Sequence, residues 1–238
     1  DGIAPQDWDE LNNSPDHPMV NRALNGAYPP GSTFKPFMAL AALMSGKRTA
    51  SQTISDPGYF DFGGHHFRDD KVGGHGTVDM YKSIVHSCDT YYYRLANDMG
   101  IDLIASTLGE LGFGSRTGID IEGESTGVLP SPEWKKRRFK KPEQQKWFGG
   151  ETISIGIGQG YNAYTMLQLA HATATVAAGG VMYKPHLVKY IENAKDGSRR
   201  MIEPQPIKTI PIKPEHIETI RRGMVGVNRE GTGARAFA

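Results

Sequence analysis

An almost continuous apolar run follows a turn rich in proline and glycine and sets the strongest limit on the fold. It extends from Phe37 to Met44 and consists of residues that favour helices. Because the run is apolar on nearly every side, it predicts a helix that is buried in the core. Pro36 suits the first turn of such a helix, where backbone amides have no partner inside the helix. Gly46 is positioned to end it.

Ser32 and Lys35 stand at the entry of this predicted helix, three residues apart and therefore on one face. A serine hydroxyl becomes a nucleophile when a base takes its proton, and a neutral lysine can be that base. Burial and the positive end of the helix dipole both favour a neutral lysine, and the serine amide could donate to a developing oxyanion. The alternative is a capping serine followed by a solvated lysine, which is the more common reason for this short pattern.

Length and charge limit the possible classes of protein. The 238 residues suit one large domain or two small ones, and the single cysteine, Cys88, excludes an intrachain disulfide. A formal net charge of +1 gives no electrostatic case for binding nucleic acid or a membrane surface. No apolar stretch is long enough to span a bilayer. The first residue is not methionine, and we interpret the chain as a piece of a longer protein.

Periodicity and capping residues organise the rest of the chain. We expect residues 1–30 to be a loop or linker, 47–76 a glycine-rich region without helices, 114–150 a long irregular region, and 181–191 extended. The segment 152–160 alternates apolar and small residues before a turn. A basic run within the irregular region is expected to be solvated loop; it consists of Lys135, Lys136, Arg137, Arg138, Lys140 and Lys141. Further helices are predicted over residues 77–85, 91–99, 102–111, 165–178 and 214–225.

The triplet Ser87-Cys88-Asp89 lies at a predicted break between two helices. It could supply a second hydroxyl and a hydrogen-bonding side chain, which a proton needs on its way to a leaving group. Two N-capping residues are an equally good explanation of these three residues alone.

The two motifs in this order, roughly fifty residues apart, resemble the penicillin-recognising serine enzymes. Five segments are more specific and are similar to class B penicillin-binding proteins, above all to the elongation-specific peptidoglycan D,D-transpeptidases of rod-shaped Gram-negative bacteria. The resemblance covers essentially the whole chain. The segments are residues 28–36, 56–58, 89–93, 117–120 and 156–161.

The resemblance implies an α+β fold like that of penicillin-binding proteins and β-lactamases, of which this chain holds mostly the helical part. Most of the five-stranded antiparallel sheet would be missing. Residues 1–238 would form a partial transpeptidase domain that stops before the Lys-Thr-Gly or Lys-Ser-Gly motif. In this chain, the segment 208–210 lacks the glycine and the segment 231–233 lacks the lysine. In the family, the strand that carries this motif supplies the second oxyanion donor. We therefore expect little turnover from the isolated chain.

The resemblance also implies roles for residues. Ser32 would attack a D-Ala-D-Ala stem peptide, Lys35 would take its proton, Ser87 would relay a proton and Asp89 would position substrate and lysine. Asp89 replaces the asparagine found in most of the superfamily. β-Lactams would acylate Ser32. Other implied partners are a membrane-embedded glycan polymerase and elongation-complex proteins, with the domain in the periplasm of a Gram-negative bacterium, anchored in the inner membrane.

A metal site is a separate hypothesis. Asp56, Asp69, His75 and Cys88 offer thiolate, imidazole and carboxylate groups that suit tetrahedral zinc. Their scattered spacing alone favours a buried thiol and ordinary turn aspartates. Some relatives of the elongation-specific enzymes contain zinc with a similar ligand set, which strengthens a structural zinc site here. Nearby competitors as ligands are Asp61, His65, His66, Asp70 and His86.

Three other functions remain compatible with the sequence. A class D-like β-lactamase or β-lactam sensor also uses Ser-x-x-Lys, although its second motif is not Ser-Cys-Asp. A catalytically silent scaffold of a wall-elongation complex would not need Ser32. A zinc-dependent hydrolase would use the candidate metal site instead of Ser32.

Overall fold

The computed structural model describes residues 2–236, in which eleven α-helices and two short 3-10 helices occur. The 3-10 helices are Gly31–Phe34 and Ala234–Ala236. The α-helices are α1 Pro5–Asn13, α2 Arg22–Asn25, α3 Lys35–Met44, α4 Met80–Val85, α5 Asp89–Met99, α6 Ile101–Glu110, α7 Pro132–Arg138, α8 Pro142–Gln145, α9 Gly149–Ile155, α10 Met166–Ala177 and α11 Pro214–Arg229.

Ten short strands form five separate two-stranded antiparallel pairs within the described residues. The pairs are β1 with β6, β2 with β5, β3 with β4, β7 with β10 and β8 with β9. The strands are β1 Ala27–Tyr28, β2 Ile54–Asp56, β3 Tyr59–Phe62, β4 His65–Arg68, β5 Gly76–Val78, β6 Tyr164–Thr165, β7 Val181–Tyr183, β8 Tyr190–Glu192, β9 Arg199–Met201 and β10 Pro206–Thr209.

Helix α3 forms the centre of the core, as its apolar sequence predicts. Residues Phe37 to Leu43 are all buried, and the helix packs against α4, α5, α6 and α11. At its entry, Phe34 lies against Phe113 and Tyr164, with ring centroids 5.5 and 5.7 Å away. A helix that is apolar on every face is stable when all of its faces are buried, because an exposed face would leave apolar surface in water.

The structure corrects two of the local predictions. Residues 1–30 are not all loop, because they contain α1 and α2. Thr77 does not cap a helix; it pairs with Ser55 in the strand pair β2–β5. The following helix begins instead at Met80, where the side chain of Asp79 accepts a 2.8 Å hydrogen bond from the Lys82 amide. An aspartate at this position is a better cap than the preceding threonine, whose backbone is already paired.

Two further segments are helical against expectation. The basic run lies partly on α7, whose first amides are capped by the side chain of Ser131. The segment 152–160 begins within α9, where Glu151 accepts a 2.8 Å hydrogen bond from the amide of Phe148. In both cases one capping side chain fixes the start of a short helix, and apolar alternation over a few residues does not outweigh it.

No helix within residues 2–236 has the length and apolar content to cross a bilayer. The predicted domain, residues 1–238, includes Asp1, Phe237 and Ala238, which lie outside the described residues.

Candidate active site

Ser32 lies in the 3-10 turn directly before α3. The preceding residue, Gly31, has a φ of +57°, and its amide donates a 3.1 Å hydrogen bond to the carbonyl oxygen of Gly158. The two backbones are so close that a Cβ on Gly158 would lie 2.4 Å from the carbonyl oxygen of Gly31. Two glycines therefore allow the contact that fixes the backbone leading into Ser32.

Lys35 begins α3 and is only 1% exposed. Its Nζ atom donates to the Ser87 carbonyl oxygen at 2.5 Å, to Ser87 Oγ at 2.9 Å and to Asp89 Oδ1 at 2.5 Å. These three acceptors match the three donors of an ammonium group. The solvated lysine that the short motif also allowed is therefore excluded.

Ser87 connects Lys35 to Ser32. It lies between α4 and α5 with a φ of +56°, a conformation that is uncommon for any residue other than glycine. Its hydroxyl donates to Ser32 Oγ at 2.9 Å while it accepts from Lys35 Nζ. No direct hydrogen bond joins Lys35 to Ser32 in residues 2–236, so the polar contact between them passes through Ser87.

The three residues of the Ser87-Cys88-Asp89 triplet face two different groups. Ser87 and Asp89 contact Lys35, whereas Cys88 is buried on the other side against carboxylates. Asp89 is the first residue of α5, where the helix dipole favours a carboxylate. The predicted break between helices therefore contributes residues to both the Ser32–Lys35 site and the candidate metal site.

A cleft of about 370 Å³ opens over these residues. Ser32, Lys35 and Ser87 line it together with neighbouring residues of α3 and α4 and with residues from α10, α11 and the segment after α11. The sequence predicts none of the lining residues from α10, α11 and the segment after it, which include Thr173, Met224, Asn228 and Thr232. The only signal available for α11 was that Met224, Val227 and Asn228 share one helix face.

The predicted metal ligands come together although they are far apart in sequence. One ligand atom from each of Asp56, Asp69, His75 and Cys88 lies within 4.8 Å of the other three. Cys88 Sγ is 3.4 Å from Asp56 Oδ2 and 3.5 Å from Asp69 Oδ2, and His75 Nδ1 is 3.4 Å from Asp69 Oδ1. A tetrahedral ion with ligands at about 2.0–2.3 Å would separate them by about 3.3–3.8 Å. Three of the separations lie in this range, whereas His75 Nδ1 is 2.9 Å from Asp56 Oδ2. The four residues therefore approximate the ligand arrangement of a four-coordinate metal.

The electrostatics of this cluster also suit a cation. Burial raises the pKa of Asp56, but hydrogen bonds from groups including the amides of Gly58 and His75 outweigh it and hold the pKa at about 2. Burial and the charges of Asp69 and Asp56 raise the pKa of the Cys88 thiol. A divalent ion would offset the negative charge and favour the thiolate, as metal coordination does generally.

The competing ligands lie elsewhere. His66 Nδ1 contacts Asp61 Oδ1 at 2.6 Å on the exposed β3–β4 hairpin, and His65 is also exposed there. His86 is exposed and stacks on His75 with ring centroids 6.0 Å apart. Asp70 is exposed beside the buried Asp69. None of the five belongs to the four-residue cluster among the described residues.

The architecture and the Ser32–Ser87–Lys35 series define a class of protein. The family model described as the penicillin binding protein transpeptidase domain matches residues 4–238, and the chain belongs to this family. The α+β transpeptidase fold expected from the sequence is confirmed by this match and by the structural neighbours.

Particular relatives place the chain within the family. It is 44% identical over 234 residues to the peptidoglycan D,D-transpeptidase MrdA of Acinetobacter baumannii, covering 98% of this chain and 34% of that protein. The crystal structure of Pseudomonas aeruginosa PBP2 in complex with WCK 5153 matches with a TM-score of 0.86 and 38% identity, over 99% of this chain and 53% of that one. Helicobacter pylori PBP2 in complex with MreC matches with a TM-score of 0.81 and 31% identity, over 98% and 41%. The elongation-specific resemblance is confirmed, and the chain spans about a third of the curated relative's length.

Proposed function

We propose that this chain carries the acyl-transfer centre of a peptidoglycan D,D-transpeptidase that forms cross-links during lateral wall synthesis and that β-lactams inhibit covalently. The observation that carries the proposal is the hydrogen-bonded series from Ser32 Oγ through Ser87 Oγ to Lys35 Nζ, with 2.9 Å at each step. The name of the 44% identical relative supports the same activity.

In the proposed reaction, Ser32 Oγ attacks the carbonyl carbon between the two D-Ala residues of a stem peptide. For this step Lys35 must be neutral, and both hydrogen bonds then run in the opposite direction, with Ser32 donating to Ser87 Oγ and Ser87 donating to Lys35 Nζ. The Ser32 proton moves to Ser87 as the Ser87 proton moves to Lys35, and a proton returns from Lys35 by way of Ser87 to the departing D-Ala amine. Asp89 holds Lys35 in place. The Ser32 amide is one oxyanion donor. An amine from a second stem peptide then attacks the acyl-enzyme and forms the cross-link.

We further propose that the chain is a partial transpeptidase domain and that its third motif follows Ala238. Neither segment 208–210 nor segment 231–233 has the Lys-Thr-Gly or Lys-Ser-Gly sequence. Loss of one oxyanion donor typically lowers the rate by about a hundredfold or more. The 238-residue chain should therefore acylate slowly compared with a version extended through that motif.

The test is the intact mass of the extended version after incubation with a penicillin. We expect one adduct that maps to Ser32 and disappears in Ser32→Ala. A matched control is Ser106→Ala, which removes an exposed serine on α6 and should leave the adduct unchanged. Absence of an adduct on the folded protein would contradict the proposal and favour a silent scaffold. Rapid release of hydrolysed penicillin would instead identify a β-lactamase.

We also propose that Asp56, Asp69, His75 and Cys88 hold a structural zinc ion. The support is the ligand spacing and the burial of three of the four residues, because a mixed set of sulfur, nitrogen and oxygen donors favours zinc. Bound zinc would link the segments around β2 and β5 to the start of α5, and thereby to Ser87 and Asp89.

Metal analysis of protein purified without chelator should give about one zinc per chain, consistent with a single four-ligand site. The Cys88→Ser variant should lose the metal and unfold at a lower thermal midpoint. The His66→Ala variant, which changes a residue outside the cluster, should keep the zinc content and the thermal midpoint of wild type. Metal-free wild-type protein would end the zinc proposal without affecting the Ser32 test.

The same relatives support a proposal about the setting of the parent protein. We propose a periplasmic domain anchored in the inner membrane of a Gram-negative bacterium, working with a glycan polymerase and other elongation proteins. The support is the H. pylori structure, in which PBP2 is bound to MreC. Copurification of the parent protein with such partners, unchanged by Ser32→Ala, tests this part independently of catalysis.

A further inference from the structure

The basic run of the sequence forms a charged surface that the proposed reaction does not use. We call residues 131–148, which include α7 and α8, the basic cap. From Glu133 to Lys146 there are seven basic and two acidic residues, although the whole chain has a formal net charge of only +1. The rest of the chain is therefore net acidic. The formal net charge of +1 therefore results from a basic segment and an acidic remainder that nearly cancel.

Only one basic side chain of the cap is turned inwards. Lys135 is 3% exposed; it pairs with Glu151, donates to the Lys146 carbonyl oxygen at 2.7 Å and lies 5.5 Å from the Tyr161 ring centre. This residue anchors the cap to α9. A cap anchored in this way presents its other charges on a defined surface.

The six other basic side chains of the cap are exposed, and none forms an ion pair with an acidic group in residues 2–236. They are Lys136, Arg137, Arg138, Lys140, Lys141 and Lys146. Phe148, which is 50% exposed, lies beside them with its ring centre 5.5 Å from Lys146 Nζ. Unpaired cations with an exposed aromatic ring at their edge form a surface suited to an extended anionic partner.

The cap is connected to the turn that carries the candidate nucleophile through the loop after α9. Its Trp134 packs on Tyr161 with ring centroids 5.1 Å apart. Tyr161 follows Gly158 by three residues, which can span at most about 11 Å, and the Gly158 carbonyl oxygen accepts the hydrogen bond from Gly31 next to Ser32. One loop therefore separates the cap from the cleft.

We propose that the basic cap binds the carboxylate-bearing stem peptides of a peptidoglycan strand while another stem peptide of the same strand occupies the cleft. This rests on the proposed function, because a stem peptide ending in D-Ala-D-Ala has a terminal carboxylate and a strand displaying many of them is a polyanion. Binding at the cap would raise the effective concentration of neighbouring stem peptides at Ser32.

The experiment measures cosedimentation of the 238-residue chain with protein-free peptidoglycan sacculi. The variant K136E/R137E/K140E/K141E should bind about tenfold more weakly at low salt, and wild-type binding should fall at about 0.5 M salt because exposed charges are screened. The matched control, K184E/K189E/K195E/R200E, makes the same number and type of charge reversals on the exposed hairpin of residues 181–209 and should bind like wild type.

A milder variant, K136Q/K140Q, should bind with intermediate strength, and it keeps the test valid if four reversals disturb folding. Equal losses in the cap and hairpin variants, or no binding by wild type, would overturn the proposal. Wild-type binding to vesicles containing phosphatidylglycerol but not to sacculi would also overturn it and assign the cap to a membrane. Ser32→Ala should sediment like wild type. Failure of the penicillin adduct with retained cap-dependent sedimentation would therefore count against the proposed function alone.

Discussion

Ser87 shows how much of the candidate site depends on the backbone of a single residue. Its positive φ turns both its carbonyl oxygen and its hydroxyl towards Lys35, which accounts for two of the three hydrogen bonds of that buried amine. Strained conformations of this kind persist only when surrounding contacts hold them, and they are frequent at functional sites. The motif predicts the residue types, but not this geometry.

Tyr91 provides a prediction about pH at the same scale. It is fully buried and its hydroxyl has no hydrogen-bond partner in the described part of the chain. Burial raises the pKa of Tyr91 to about 12 from 10.0, with the nearby Arg48 charge acting in the opposite direction. Below pH 10 the phenol is protonated in both folded and unfolded chains. Above pH 10, only the unfolded chain loses the proton. The free energy of unfolding therefore falls with rising pH until the pH passes the pKa of Tyr91 in the folded chain.

We therefore expect the free energy of unfolding of Tyr91→Phe, measured relative to wild type, to increase by about 1 kcal/mol from about pH 8 to about pH 11. At about pH 8 the variant should be neutral or slightly more stable, because it removes an unpaired buried hydroxyl. Urea unfolding at both pH values measures the difference. Tyr28→Phe, at a 46% exposed tyrosine, should show no such gain, and an equal gain in both variants would rule out the burial explanation.

At the scale of elements, the turn that carries Ser32 depends on the loop after α9. The close approach of Gly158 to Gly31 has no room for a side chain. Residues 156–161 resemble the family in sequence, but nothing in that segment indicates that it contacts the turn of Ser32. That contact joins segments that are more than one hundred residues apart in sequence.

Gly158→Ala should disturb this turn more than a matched glycine substitution does. Gly158 has a φ of +73°, and its new Cβ would meet the Gly31 backbone; Gly46 has a φ of +71° but nothing within 4 Å of its Cβ position. Both alanines incur about 1–2 kcal/mol for the left-handed conformation. In urea unfolding, only Gly158→Ala should lower the free energy of unfolding by more than this amount. Only Gly158→Ala should also slow penicillin labelling of the extended version. Equal effects would show that the contact does not matter.

For the whole molecule, the buried helix α3 forms the centre of the core. Leu40 is fully buried, so Leu40→Ala should lower the free energy of unfolding by about 2–5 kcal/mol. Leu187 is 67% exposed, and Leu187→Ala should stay within about 0.5 kcal/mol of wild type. Urea denaturation of the two variants makes the comparison. Similar losses in both would mean that the apolar run is not the organising core.

Local sequence patterns are sufficient to predict the central helix, the position of Ser32 and Lys35 at its entry, and the break at Ser87. These features depend on local propensity, capping and spacing, which neighbouring residues express directly. The sequence also supplied the four candidate metal ligands, although spacing alone could not bring them together.

Which of these residues come into contact depends on the tertiary packing. Ser32 and Ser87 are 55 positions apart, and their contact depends on how α3 packs against α4 and α5. The same packing turns Lys135 inwards and leaves the other charges of the basic cap outside. Short helices such as α7 and α9 were missed because one cap and its tertiary neighbours outweigh weak propensity over a few residues. Contacts between distant segments are set by burial of the whole core, which no local pattern encodes.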